Sequence, residues 1–567
     1  AAVTGLFFLP AGAQTTYHDY DSLVKELRKL EDDYSDLAEL SSIGKTGQKR
    51  DVWLLRLTNE KNANVAEKPA FFFCATLEAD RLIGGESLLY TARKLLQGYE
   101  EDEQVRALLD NNTCYVVPRV NPDGAERFFR SPKEQSALNT TVVDADNDGR
   151  VAEDPAEDLN GDGLITMMRV KEAGGAYTVD TTDARLMVKA DPVVGVEERY
   201  TLYTEGRDND ADNAYNEDGT GGVNINRNFP HNYPYHDPEA GIHMTSEPET
   251  KAVIDFLESH ENVALVFSYS QFDNLLKQPR PARKNENGSM SARMRFMRSR
   301  TPETKIHPDD IGYLKRIGKR YQSITGKSAE RLPEAASPEG AFYEWAYFQY
   351  GVLSLSTPLY TIPTASAEVT SAAKKKSRGP HMKRGDAKSS SDKKWLTWID
   401  SQNKGDGFAG WTPFSHPQLG EVEIGGFHPF IRVNPPEQVA AELLEKEAEF
   451  IASLADMLPS LSCDYCGSEK LSDGVYRIEI KIVNSGYLPT SLAHGEKARA
   501  VKPTRVVIDD NDLELLSGNK IVFLDTIDGS GGAEKVSWVV NAKKSTKVKI
   551  SVVSEKAGSF TTSVSLR

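Results

Sequence analysis

The sequence predicts a mixed α/β sheet with helices on both faces, followed by a small all-β sandwich. Two patterns carry that expectation. Before about residue 458, short apolar runs at Val52–Leu57, Phe71–Thr76, Cys114–Val120 and Ala264–Tyr269 alternate with helix-period stretches such as Leu88–Leu96 and Thr250–Ser259. Strands that alternate with helices build layered α/β sheets. From about Gly467 the period drops to two: Ile478, Ile480 and Ile482 alternate with Glu479 and Lys481, and Val548, Ile550 and Val552 repeat the pattern. Asn-Ser-Gly and Gly-Ser-Gly-Gly turns separate these strands, as in a sandwich of about 100 residues.

Residues 1–16 place an apolar run, Val3–Leu9, before the small-x-small sequence Ala11-Gly12-Ala13. This reads as the remnant of a secretory signal and predicts a secreted or periplasmic protein. Leu23, Leu27, Leu30 and Tyr34 then fall at helical spacing and open a large domain spanning residues 17–458. Two insertions interrupt it: an acid-rich one at 144–218, and one at 372–394 rich in Lys, Arg and Ser, expected to be a mobile loop. A helical segment, Val439–Leu458, closes the domain at Pro459, and residues 467–567 form the sandwich. No stretch after the leader has the length and apolarity of a membrane span.

The formal net charge of −16 argues against nucleic acid as the main partner. Four cysteines are too few for a disulfide scaffold. Cys74 and Cys114 lie in apolar strands and are expected to be buried. Cys463-Asp464-Tyr465-Cys466 is a lone CxxC without a second pair or a neighbouring His, which in an exported protein reads as a local disulfide.

Around the second strand the sequence runs PAFFFCATLEADRLIGGE. Further on come RVNPDGAERF (Arg119–Phe128), GGVNINRNFP (Gly221–Pro230), FSYSQ (Phe267–Gln271), EWAYFQYGVLSLS (Glu344–Ser356) and HPQLGEVEIGG (His416–Gly426). In this order the segments resemble the zinc carboxypeptidase (carboxypeptidase A-like) family over roughly residues 17–458. The resemblance implies a carboxypeptidase-like sheet, a catalytic zinc and release of C-terminal amino acids.

It fails at the positions that would carry that chemistry. The family's first zinc ligand, a His, falls on Glu78, and its second, a Glu, on Arg81. Glu86 keeps the register between them and the helix. The third ligand, a His before Ser-Tyr, is Phe267, and the general-base Glu, seven residues after Gly351, is Pro358. Catalytic zinc needs three protein donors and an open position. Glu78 could give an oxygen, Arg81 stays protonated, Phe267 has no lone pair and Pro358 accepts no proton. No histidine stands at an expected position; His260 is seven residues early and reads as a helix-end residue. Opposite charges three residues apart predict instead a Glu78–Arg81 pair in the cleft floor.

Asn226-Arg227 matches the family pair that grips a substrate's terminal carboxylate, a fork suited to that group; the alternative is that Arg227 pairs with a local acid. The family's oxyanion Arg has no counterpart between Ser131 and Gly149, and Arg130 is the available stand-in.

Three acidic clusters resemble calcium loops: Asp144, Asp146 and Asp148 with Glu153 and Asp154; Asp158, Asn160 and Asp162; and Asp208, Asp210 and Asp212 with Glu217 and Asp218. Carboxylates on alternate residues can wrap a hard cation, so calcium is an expected cofactor, while the replaced positions argue against the zinc the family implies. The leading expectation is a catalytically inactive pseudo-peptidase whose partner is a peptide or protein C-terminus. An active zinc metallocarboxypeptidase and a calcium-stabilised adhesion or scaffold module are the alternatives.

Overall fold

A computed structural model describes residues 17–567 apart from 62–63, 144–150, 152–154, 156, 192–197, 210–214, 216–220, 280, 282–302, 334–336, 363–383, 510, 512, 543–546 and 567; of 384–390 it describes the backbone only. The 1–16 leader and the start of the 372–394 segment therefore lie outside the described residues.

The large body is built on a six-stranded sheet of β1 (Ala38–Lys45), β2 (Asp51–Leu57), β3 (Ala70–Cys74), β4 (Thr113–Val117), β9 (Val263–Tyr269) and β10 (Leu353–Thr357), in the order β1-β2-β4-β3-β9-β10. β1 and β2 are antiparallel, whereas β4, β3, β9 and β10 run parallel. The parallel strands are buried along their whole length, which is why they read as unbroken apolar runs. Helices cover both faces. On one side lie α1 (Tyr20–Asp33), α2 (Leu82–Gly98), α3 (Glu103–Asn111), α5 (Ile311–Thr325) and α7 (Glu437–Ala452), around a core that includes Leu27, Phe71, Phe267 and Phe450. On the other lies α4 (Pro248–Ser259), over Val52, Phe72, Tyr115 and Phe342.

A second six-stranded sheet, not foreseen from the sequence, joins the acidic insertion to the last part of the body. It runs β11-β12-β5-β8-β6-β7, from β5 (Met167–Lys171), β6 (Tyr177–Val179), β7 (Met187–Lys189), β8 (Tyr200–Thr204), β11 (Phe408–His416) and β12 (Gly420–Phe427). Its small core is Met168, Val170, Val422 and Ile424. The basic segment is also not wholly a loop: α6 (Arg384–Gln402) occupies its end, because Trp395, Leu396, Trp398 and Ile399 place an apolar stripe against the body.

The C-terminal body is the expected sandwich. One sheet orders β13 (Leu461–Ser472), β14 (Val475–Asn484), β18 (Gly532–Asn541) and β16 (Glu514–Ser517). The other orders β17 (Ile521–Phe523), β15 (Arg505–Ile508), β19 (Lys547–Ser554) and β20 (Gly558–Ser565). Ile478, Ile480, Ile482, Trp538 and Ile550 fill the space between them. Cys463 and Cys466 are disulfide-bonded, and Cys74 and Cys114 are free and buried. The sandwich docks on the large body through α8 (Ala493–Ala498), whose first N–H groups are accepted by Asp310 at 2.9 and 3.0 Å. Among the described residues no helix is long and apolar enough to cross a membrane.

Candidate functional site

The parallel strands β3, β4, β9 and β10 end on one side of the sheet, where open α/β sheets hold their ligands. β3 runs into a turn that carries Glu78 and Arg81 before α2 begins. Thr76 in that turn has a left-handed backbone, φ 55°. The turn is tied on its inner side: Val120 and Asn121 donate main-chain N–H groups to Ala75 and Thr76 at 3.0 Å. Asn434 Nδ2 donates to the Asp80 carbonyl at 2.7 Å, and Gln135 Nε2 to Asp80 Oδ2 at 2.8 Å. Close approach of α2 to the sheet needs glycine at 85, where a Cβ would stand 2.5 Å from the Pro118 carbonyl oxygen.

Glu78 is 1% exposed. Its Oε1 accepts from Asn226 Nδ2 at 2.8 Å and from the Gln271 N–H at 3.3 Å, while Oε2 has no partner. Burial pushes its carboxyl above the ordinary range, with the Arg81 charge pulling the other way. Glu78 and Arg81 nevertheless do not pair as expected. The nearest carboxylate to the guanidinium is that of Asp80, 4.0 Å from Nε, and Nε makes no hydrogen bond. Glu78 spends its bonded oxygen on Asn226 and the Gln271 main chain instead.

Phe267 lies on β9 and is fully buried, edge-on to Phe73 and against Tyr269 and Phe450, with centroids 6.4, 4.7 and 5.8 Å away. Pro358 directly follows β10 and is buried. Its neighbour Thr357 donates through Oγ1 to Asp273 at 2.9 Å. Asn226 is engaged on both sides of its amide, because Oδ1 also accepts the Phe342 N–H at 2.9 Å. Arg227 bonds Asp237. Arg130 is exposed. Glu86 anchors the chain before α1: His18 meets it through Nδ1 at 2.7 Å and through its own N–H at 3.0 Å. His260 is the C-terminal cap of α4.

Sequence reasoning missed Asp237 and the main-chain N–H groups of Gln271 and Phe342, which hold residues it did single out, and Asp80, the acid closest to Arg81. It also missed Glu344, buried beside Phe342 with Oε2 unpartnered and its carboxyl pushed up to about 7 by burial. Only Asp80 had a local signal, an acid between Glu78 and Arg81.

The acidic loops fall differently. Asp144, Asp146, Asp148, Glu153, Asp154, Asp210, Asp212, Glu217 and Asp218 lie outside the described residues. Asp158 accepts the N–H groups of Gly161, Asp162 and Gly163 at 2.7, 3.1 and 2.7 Å, and Asn160 and Asp162 likewise accept from Asp162 and Leu164, both at 2.9 Å. These three side chains thus close their own turn. Asp208 joins Gln418 through its main chain, its N–H donating to Oε1 at 3.2 Å. Among the described residues no three His, Cys, Asp or Glu side chains converge as a metal site.

A family model described as zinc carboxypeptidase matches residues 23–161 and 177–371, more than half of the sequence. The chain belongs to the zinc carboxypeptidase family. Residues 460–565 match a family described as a domain of unknown function. A zinc carboxypeptidase of Saccharothrix mutabilis subsp. capreolus is 32% identical over 142 residues, covering 24% of this chain and 32% of that protein. Carboxypeptidase D of Homo sapiens is 33% identical over 111 residues, covering 20% of this chain and 8% of the relative. The matched part thus spans a third or less of these relatives. The carboxypeptidase A structure from Helicoverpa armigera overlays loosely, with a TM-score of 0.36 at 16% identity over 61% of this chain and 64% of that one.

The zinc implied by this family does not fit the residues at the positions the sequence resemblance assigns to it. Arg81 brings a fixed positive charge, Phe267 is sealed in the apolar core, and the bonded oxygen of Glu78 is held by an amide.

Proposed function

We propose that this zinc carboxypeptidase-family chain is an exported, non-hydrolytic protein that holds a peptide C-terminus, or a ligand like it, in the cleft at the ends of the parallel strands. The supporting observation is the side-chain set at Glu78, Arg81, Phe267 and Pro358, which offers one oxygen donor, one cation, one sealed aromatic ring and no base. Hydrolysis by this family's chemistry needs an activated water, and activating it takes a Lewis acid and a proton acceptor. Export is supported by the apolar, small-x-small leader. The spacing of carboxylates at 144–148 and 208–212 supports calcium as a structural ion of the acidic insertion.

Elemental analysis of purified protein, paired with a C-terminal peptide hydrolysis assay on the same sample, tests this reading. Calcium without zinc is expected, with no released amino acid even after zinc is added. One zinc per chain together with peptide trimming would overturn it.

A further inference from the structure

We propose that Arg81 is the carboxylate-binding residue of the cleft, so that a ligand's terminal carboxylate sits where the family holds its metal. This rests on the non-hydrolytic reading above. The Arg81 side chain is only 19% exposed, yet its Nε has no hydrogen-bond partner and the closest acid, Asp80, stays at 4.0 Å. Gln135 holds Asp80 Oδ2 at 2.8 Å, while Oδ1, the oxygen facing Arg81, has no hydrogen-bond partner. A buried guanidinium N–H without an acceptor is costly, and a planar fork of donors fits a carboxylate in two-point contact.

The surroundings favour an anion. Arg81 is the N-cap of α2, a 17-residue helix with no side-chain cap bond and no acid in its first turn. The positive end of that helix adds to the guanidinium, and its Ile83 N–H is taken by a neutral acceptor, Asn434 Oδ1, at 3.1 Å. The main chain of Arg81 is fixed as well, with its N–H on the Glu78 carbonyl at 3.1 Å and its C=O accepting from Thr76 Oγ1 at 3.3 Å.

The alternative grip is already engaged. Both ends of the Asn226 amide are bonded, to Glu78 and to the Phe342 N–H, and Arg227 pairs with Asp237 through Nη2, its Nε being buried without a partner. Arg81 has no such hydrogen-bonded partner among the described residues.

Fluorescence anisotropy with a labelled, N-acetylated hexapeptide pool, compared with the same pool as C-terminal amides, tests the assignment on the full chain. Wild type is expected to bind the free-carboxylate pool at least tenfold more tightly than the amide pool. Arg81→Gln should bring the free pool down to the amide level, Arg81→Lys should retain an intermediate affinity, and Arg227→Gln should stay within threefold of wild type. Circular dichroism checks that each variant folds, and Arg81→Lys keeps the test alive if Arg81→Gln does not. Arg81→Gln within twofold of wild type, Arg227→Gln carrying the tenfold loss, or wild type failing to prefer the free pool would each overturn the assignment. Mass spectrometry of the recovered peptides after zinc addition separates the two claims. Trimmed peptides overturn the non-hydrolytic reading, whereas intact peptides bound without regard to Arg81 overturn only this one.

Discussion

Glu447 on α7 and Glu78 at the end of β3 are both carboxyls with almost no exposure, 0% and 1%, and their surroundings treat them in opposite ways. Glu447 Oε1 accepts from Tyr321 at 2.9 Å and pairs with Lys327, while Oε2 accepts from Tyr269 at 2.9 Å. Lys327 in turn donates to Tyr321 at 2.9 Å, so the cluster closes on itself. Glu78 has one oxygen bonded, one bare, and a cation nearby that does not reach it. A closed buried network ties elements together and has nothing left to offer a ligand; a half-closed one at the mouth of a sheet is a place where something else can bind. Glu447 joins α5, β9 and α7 into one body, and Glu78 belongs to the cleft.

Glu447→Ala removes the centre of the closed network. It would strand the Lys327 ammonium and two phenols in the core, and the expected loss in urea unfolding is about 3–5 kcal/mol. Replacing the pair with Lys327→Met and Glu447→Leu should recover much of that loss, because no unpaired charge remains. If the single variant were as stable as wild type, the cluster would not be the tie described. Next in size is Phe267→Ala. Phe267 lies on the same strand as Tyr269, and truncating its fully buried ring should cost about 3 kcal/mol by the same measurement. A cost under about 1 kcal/mol would mean the ring is not the core residue its contacts with Phe73, Tyr269 and Phe450 make it.

How much of this was legible beforehand follows from where each signal lives. The parallel strands were visible because burial on both faces leaves no polar alternation, and the sandwich because one wet face does. The second sheet was not, since β6 and β7 are three residues each and β5 pairs with β12, more than two hundred residues away. Glu78, Arg81, Phe267 and Pro358 could be placed by counting along motifs that share one sheet end. Their partners could not, because Asn226, Gln271 and Gln135 reach Glu78 and Asp80 through the fold alone. The expected Glu78–Arg81 pair failed for that reason. Spacing of three residues suits a helix surface, whereas these two residues sit in a turn just before the helix starts.

The smallest effect is also the most diagnostic. Glu78→Gln keeps the shape and the Oε1 acceptor while removing a carboxyl that burial disfavours as an anion. At neutral pH the variant should be as stable as wild type or more so, by up to about 1 kcal/mol, since little Coulombic pairing is lost. The sign with pH is fixed by the raised carboxyl. Protons bind Glu78 in the folded state before they bind it in the unfolded chain, so its stabilising contribution is complete below roughly pH 4.3 and fades as pH rises through the folded-state value. Wild type should therefore gain on the variant as pH falls from 7 toward 4. Unfolding curves of Glu78→Gln and wild type across that range check this directly. A variant markedly less stable than wild type at neutral pH would place Glu78 with Glu447, as a structural carboxylate held by Arg81 after all.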